Sequence, residues 1–214
     1  MMIRKLSTRL LIATFTFLIG IFASPWLLHL SPKQEFRVSI PDDRWVRIWF
    51  ELTGLETKSL NEITHEAELP NLRAAALPGD DLEVRVWVLG RQESRALIVR
   101  RTAGRWSGIH LRGILTGQKI EKREILTAPH SGWEGAWARL EAAGILILPD
   151  ASEIQCRAGI LDGMGYVVEV SKDRTYRTYM YDNPEYANCD DAKQMIKIAD
   201  IIEDEFGWQD NGKE

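Results

Sequence analysis

The chain has 214 residues, with 27 Lys and Arg against 31 Asp and Glu, a net charge of −4 and two cysteines. Residues 1–30 contribute +3, so the remainder carries −7; residues 31–150 are balanced and residues 151–214 hold 7 bases against 14 acids. An acidic surface of this kind repels polyanions, so neither nucleic acid nor an anionic lipid surface is supported as a partner by charge.

Arg4, Lys5 and Arg9 precede Leu10–Pro32, a stretch without acid or base. A run of about 20 mostly apolar residues is long enough to cross a bilayer as a helix, and its basic flank stays in the cytoplasm. Residues 1–32 are therefore expected to form a signal-anchor, making this a single-pass protein of the cell membrane with everything from about Lys33 outside the cytoplasm. The alternative is a cleaved signal peptide and a secreted or periplasmic protein. Cleavage after Ala23 would place bulky Ile21 at the third position back, a poor site. About 180 residues remain, enough for one substantial core.

Residues 33–80 read as one strand followed by an irregular connection. In Trp45–Phe50 the alternation puts Trp45, Arg47 and Trp49 on one face and Val46, Ile48 and Phe50 on the other. Pro70 and Pro78 break the next stretch, leaving room for a short helix around Leu60–Glu68. The exported domain proper is assigned to residues 81–210. It opens with a three-stranded meander: Leu82–Leu89 with Val84, Val86 and Val88 inward, Arg95–Arg101, a turn at Ala103-Gly104, and Arg105–Leu111.

Ser131-Gly-Trp-Glu134 has the form of a capping box, so a helix should begin there. Trp133, Trp137 and Leu140 then recur at helical spacing, and Gly144 supplies the stop. From Gly165 to Tyr181 two alternating runs flank a turn centred on Lys172-Asp173, which predicts a hairpin. In that register Tyr166 faces Tyr179, and Glu169 faces Tyr176 on the opposite side. Cys156 and Cys189 leave the two strands at equal distances, so a disulfide between them is expected in an exported, oxidising setting. A last helix over Asp190–Phe206 should bury Ala192, Met195, Ile196, Ala199, Ile202 and Phe206. Asp190 and Asp191 suit its N-terminal end, while Glu203, Asp204 and Glu205 oppose its dipole at the other. The elements together predict an α+β fold, a transmembrane helix followed by an antiparallel sheet covered on one face by two helices.

Leu82–Gly90 (LEVRVWVLG), Val99–Gly108 (VRRTAGRWSG), Trp137–Asp150 (WARLEAAGILILPD) and Asp162–Pro184 stand in a familiar order. In these motifs the chain resembles a group of exported bacterial proteins of unknown function. Their common features are a vRvW strand, a Trp-bearing helix ending in LPD, and a DGxxYxxE / YRxYxYxNP hairpin. The resemblance covers most of residues 80–206 and implies a single exported domain; it carries no activity.

All five tyrosines fall within the 21 residues from Tyr166 to Tyr186. Tyrosine joins a flat apolar ring to a polar tip, so Tyr166, Tyr176, Tyr179 and Tyr181 are the candidate contact surface for an envelope protein or glycan; cross-strand packing of ordinary β-formers is the stronger explanation. Arg85, Arg91, Arg95, Arg100, Arg101, Arg105 and Arg112 crowd the meander, either paired within the molecule or presenting donors to an oxyanion. His29, His65, His110 and His130 lack metal-ligand spacing with one another or with the cysteines, so no metal and no cofactor is expected. His130-Ser131 is a weak base and nucleophile pair, since neighbouring side chains seldom face each other. The expected function is non-catalytic binding in the cell envelope. The alternative is a hydrolase of an envelope polymer that uses Asp150, Asp162, Glu169 or His130, in which case those groups must share one cleft.

Overall fold

The computed structural model describes residues 35–42, 59–90, 94–113, 120–156, 158 and 164–207. The expected anchor, the strand at 45–50, Arg91 and Asp162 lie outside the described residues. Among the described residues no helix is long and apolar enough to cross a membrane. The strands are β1 (Arg37–Ser39), β2 (Leu82–Leu89), β3 (Ser94–Thr102), β4 (Arg105–Arg112), β5 (Lys122–Ile125), β6 (Gly165–Lys172) and β7 (Thr175–Asp182). The helices are α1 (Leu60–Glu66), α2 (Gly132–Ala142) and α3 (Asp190–Phe206), with a 3₁₀ turn at Pro184–Tyr186. The fold is mixed α+β, as expected.

The strands form one sheet in the order β1-β7-β6-β2-β3-β4-β5. Every neighbouring pair is antiparallel except β1 with β7. The β2–β4 meander is the one expected. β6 returns from far along the chain to close the open side of β2, so β2 lies at the sheet centre with all eight residues buried.

The sheet is covered on both faces rather than one. On the first face Val84, Val86 and Val88 pack with Val168, Tyr179, Trp137, Leu140, Met195 and Ile202, beneath α2 and α3. On the second, Trp87, Leu89, Ala96, Ile98, Val167 and Met180 pack against Leu60 and Ile63 of α1 and against Ala67 and Leu69 beyond it. α1 starts with a true capping box: the Glu62 N–H donates to Ser59 Oγ at 3.3 Å, and the Ser59 N–H donates to Glu62 at 2.9 Å. The box expected at Ser131 and Glu134 does not form. The Ser131 N–H and Oγ both donate to Glu205 at 2.8 Å, and Glu134 accepts instead from the Trp106 indole at 2.7 Å.

The β6–β7 hairpin turns at Asp173-Arg174, both left-handed at φ 50° and 58°, the signature of a two-residue turn that matches strand twist. The pairing is consequently offset by two residues from the expected register: Tyr166 faces Tyr181, Val168 faces Tyr179 and Glu169 faces Thr178. A slip of two preserves which face each side chain occupies, so the face assignments survive. The disulfide forms between Cys156 and Cys189, with the Cα atoms 6.0 Å apart. α3 has the expected ends but a rotated buried stripe. Ile198, Ile201 and Glu205 are buried, whereas Ile196, Ala199 and Phe206 are only partly so, because the helix beds into both the sheet core and the start of α2. The acidic C-terminal turn that opposes the dipole is offset by Arg139 of α2, which reaches Asp204 at 2.6 Å and also Glu205.

Candidate functional site

The four candidate tyrosines are interior residues, which corrects their assignment as a contact surface. Tyr176 and Tyr179 are fully buried, Tyr181 is 1% exposed and Tyr166 is 9% exposed. Tyr179 OH donates to the Ile145 carbonyl at 2.8 Å, Tyr181 OH to the Pro149 carbonyl at 2.9 Å, and Tyr176 OH to Glu169 at 2.9 Å. Burial raises the hydroxyl pKa of all four. Alternation along β7 sends Tyr179 and Tyr181 into one core and Tyr176 toward the other, and both faces are roofed. The fifth tyrosine, Tyr186, is 63% exposed.

Beneath the α1-covered face lies a polar network built on two adjacent rows of the sheet. One row runs Arg100, Glu83, Ser171, Tyr176; the next runs Ile98, Arg85, Glu169, Thr178. Glu83 accepts from Arg85 Nε at 2.7 Å and from Arg100 Nε at 2.6 Å. Glu169 accepts from the Trp87 indole at 2.8 Å and from Tyr176, with Arg85 Nη1 at 3.8 Å. Arg85 also donates to the Pro70 carbonyl at 2.6 Å, tying the chain after α1 to the sheet. Glu83 and Arg85 are fully buried and Glu169 nearly so. Each carboxylate oxygen accepts a hydrogen bond from a donor inside the domain, so the two acids are held in place by the network. Arg85 and Arg100 thus pair within the molecule.

The other expected acids and bases stand apart from one another. Asp150 accepts from the Met180 N–H at 2.7 Å and from the Ser152 N–H at 2.9 Å, while the Ala151 N–H donates to the Met180 carbonyl at 3.3 Å. Asp150-Ala151 therefore completes the hydrogen bonding of β7 beyond the short β1, which explains the LPD motif as an edge cap. Ser131 Oγ turns to Glu205, not to His130, which is exposed. Burial would raise Glu205, but the two Ser131 donors and Arg139 outweigh it and hold its carboxyl below the ordinary range. Asp150 lies at the β7 edge and Glu169 under the α1-covered face, so they share no cleft. Among the described residues no group of three His, Cys, Asp or Glu is placed to hold a metal ion.

Two surface features of the described residues lie at opposite ends of the strands. Where β2 begins, an open cleft of about 620 Å³ is lined by Pro78–Asp81, Arg101, Ala103, Gly104 and Glu134. Beside it Trp106 packs on Trp137 at 5.4 Å, with the Arg101 guanidinium 5.4 Å from its ring centre. Beyond the other end, where β6 starts and β7 stops, Met164 and Tyr186 are exposed, as is Ile154 two residues before Cys156. The Asn183 N–H donates to the Met164 carbonyl at 2.7 Å and the Tyr186 N–H to the Asn183 carbonyl at 3.0 Å, so Met164 and Tyr186 share one turn. Set against known proteins, the chain matches no family model, no curated protein and no solved structure.

Proposed function

We propose that the chain is a membrane-anchored, exported domain of the cell envelope that binds a protein or glycan partner rather than catalysing a reaction. The observation that carries the reading is the pair of exposed side chains brought together on the turn at Asn183, Tyr186 at 63% and Met164 at 40% exposure. Exposed aromatic and Met side chains are enriched at interface centres, where desolvating them drives association. Support for the setting comes from the uncharged run behind Arg4, Lys5 and Arg9 and from the disulfide, which persists in oxidising compartments. The hydrolase alternative needs its acids and bases in a common cleft, whereas Asp150 and Glu169 spend their oxygens on internal donors in different parts of the sheet, and Asp162 lies outside the described residues.

The test uses full-length protein in detergent. Tyr186→Ala combined with Met164→Asp is expected to leave stability within about 0.5 kcal/mol while capture of the envelope partner falls by tenfold or more. Unchanged capture would remove this surface. Hydrolysis of an envelope polymer by the wild type that disappears in Asp150→Asn or Glu169→Gln would replace binding with catalysis.

A further inference from the structure

We propose that the cleft where β2 begins binds a neutral glycan through its hydroxyl groups. This goes beyond the capture surface at the Asn183 turn, which lies at the other end of the strands, and it stands or falls separately. At about 620 Å³ the cleft is within the range of about 300–1,000 Å³ typical of small-ligand sites. Four of its eight lining residues, Asp80, Asp81, Arg101 and Glu134, are charged, so its occupant must present polar groups over much of its surface. Asp81 spends one carboxylate oxygen on the Ala103 N–H at 2.8 Å, and Glu134 spends one on the Trp106 indole at 2.7 Å. The second oxygen of each, and the whole Asp80 carboxylate, have no hydrogen-bond partner among the described residues and stay open to a ligand. Arg101 donates to the Asp80 carbonyl at 3.4 Å and lies 5.4 Å from the Trp106 ring centre, which fixes its guanidinium in the same opening.

The chemistry of these groups selects the ligand. The carboxylates do not converge on a point that could hold a metal ion, and Arg101 partly offsets them, so the lining suits neither a metal nor a simple counter-ion. Acceptors and a forked donor spread around one opening match a sugar, whose hydroxyls both donate and accept. Beside them stands an aromatic wall. Trp106 and Gly108 share one face of β4, and Trp133 of α2 lies so close over Gly108 that a Cβ there would come within 2.8 Å of its ring. Trp106 packs on Trp137 and Trp133 on Phe206, the latter pair 6.1 Å apart between ring centres. Trp106, Trp133 and Phe206 are only half-buried, and such rings cover the apolar C–H faces that a sugar carries between its hydroxyls. An extended peptide would need a row of unpaired backbone groups, whereas this cleft lies over strand ends and not along the β1 or β5 edge.

The experiment titrates the full-length protein in nanodiscs, which avoid sugar-headed detergents, with the N-acetylglucosamine trimer and with cellotriose. Binding of either is expected as a saturable change in tryptophan emission together with slower hydrogen exchange at residues 79–82 and 101–106. Asp80 is exposed and unpaired, so Asp80→Ala should leave the melting temperature unchanged and weaken the sugar by about tenfold or more, while Tyr186→Ala leaves sugar binding as it was. No response to either trimer overturns the glycan site and leaves the Asn183 turn untouched. A response that survives Asp80→Ala but is lost in Tyr186→Ala moves the sugar to the turn and overturns the cleft. Binding of trilysine without either sugar would replace the glycan by a cationic peptide.

Discussion

The two faces of the sheet are equally dry but differently built. Under α2 and α3 the strands contribute Val84, Val86, Val88 and Val168, and the tyrosine hydroxyls there reach backbone carbonyls at the periphery. Under α1 the same strands contribute Glu83, Arg85 and Glu169, which satisfy one another in the interior. The apolar face loses contacts roughly in proportion to what is removed and can relax around a deletion. The charged face does not degrade gradually, because removing one member strands an opposite charge without water.

The sharpest way to break that contrast is Arg85→Met, which leaves Glu83 short of a donor. Loss of about 3–5 kcal/mol is expected in urea unfolding, against about 2 kcal/mol for trimming Val86 to Ala on the other face. Comparable losses would mean that the network adds nothing beyond packing. Next in size, reducing the Cys156–Cys189 bond, which closes a 33-residue separation, should lower stability by about 3–4 kcal/mol in the chain-entropy model, read as a drop in melting temperature. Two titratable thiols in the native, unreduced protein would overturn the bond itself.

A finer contrast comes from removing one hydroxyl on each side. Tyr176→Phe takes a donor from a buried carboxylate and should cost about 1.5–3 kcal/mol, whereas Tyr179→Phe, which frees a neutral carbonyl, should cost about 1 kcal/mol. The reverse order would count against the charged face as the less tolerant one.

The last contrast concerns pH. His110 lies on the α2/α3 face, level with Leu97 and Glu124, and burial, then Arg112, with Arg95 and Lys122 adding and Glu124 opposing, depresses it from 6.5 to about 4. The unfolded chain therefore binds a proton between about pH 6.5 and 4 that the folded chain refuses. Stability should fall as pH drops through that window and stop responding to this group below it. His110→Gln should flatten the pH 4–6.5 slope, and an unchanged slope would assign it elsewhere.

Much of the fold was legible because period carries it. Alternation located β2, β3, β4, β6 and β7, and the 3.6-residue spacing located α2 and α3. β1 and β5 escaped for a physical reason: they are short, charged edge strands, Arg37–Ser39 and Lys122–Ile125, whose composition guards an edge rather than filling a core. The second core was hidden by the same logic. Glu83 and Arg85 alternate with Val84 and Val86 in the pattern of a half-exposed strand, and only the partners brought by β6, β3 and the chain after α1 reveal that they are inside. The disulfide was found although the register used to argue for it was two residues off. The tyrosines failed as a surface because alternation reports which face a residue takes, not whether that face is roofed.

The strand order also sets when the molecule can fold. β2 to β4 can assemble as soon as residue 112 is available, but the other side of β2 stays raw until β6 is complete at Lys172. At translation rates that interval is on the order of ten seconds, during which a Val-rich strand with unpaired amides faces its surroundings. Asp150, which shields the β7 edge, arrives before the strand it caps, and Cys189 comes later still. The nascent chain should therefore lean on a holding chaperone until β6 emerges, and truncations ending inside β6 should aggregate rather than fold.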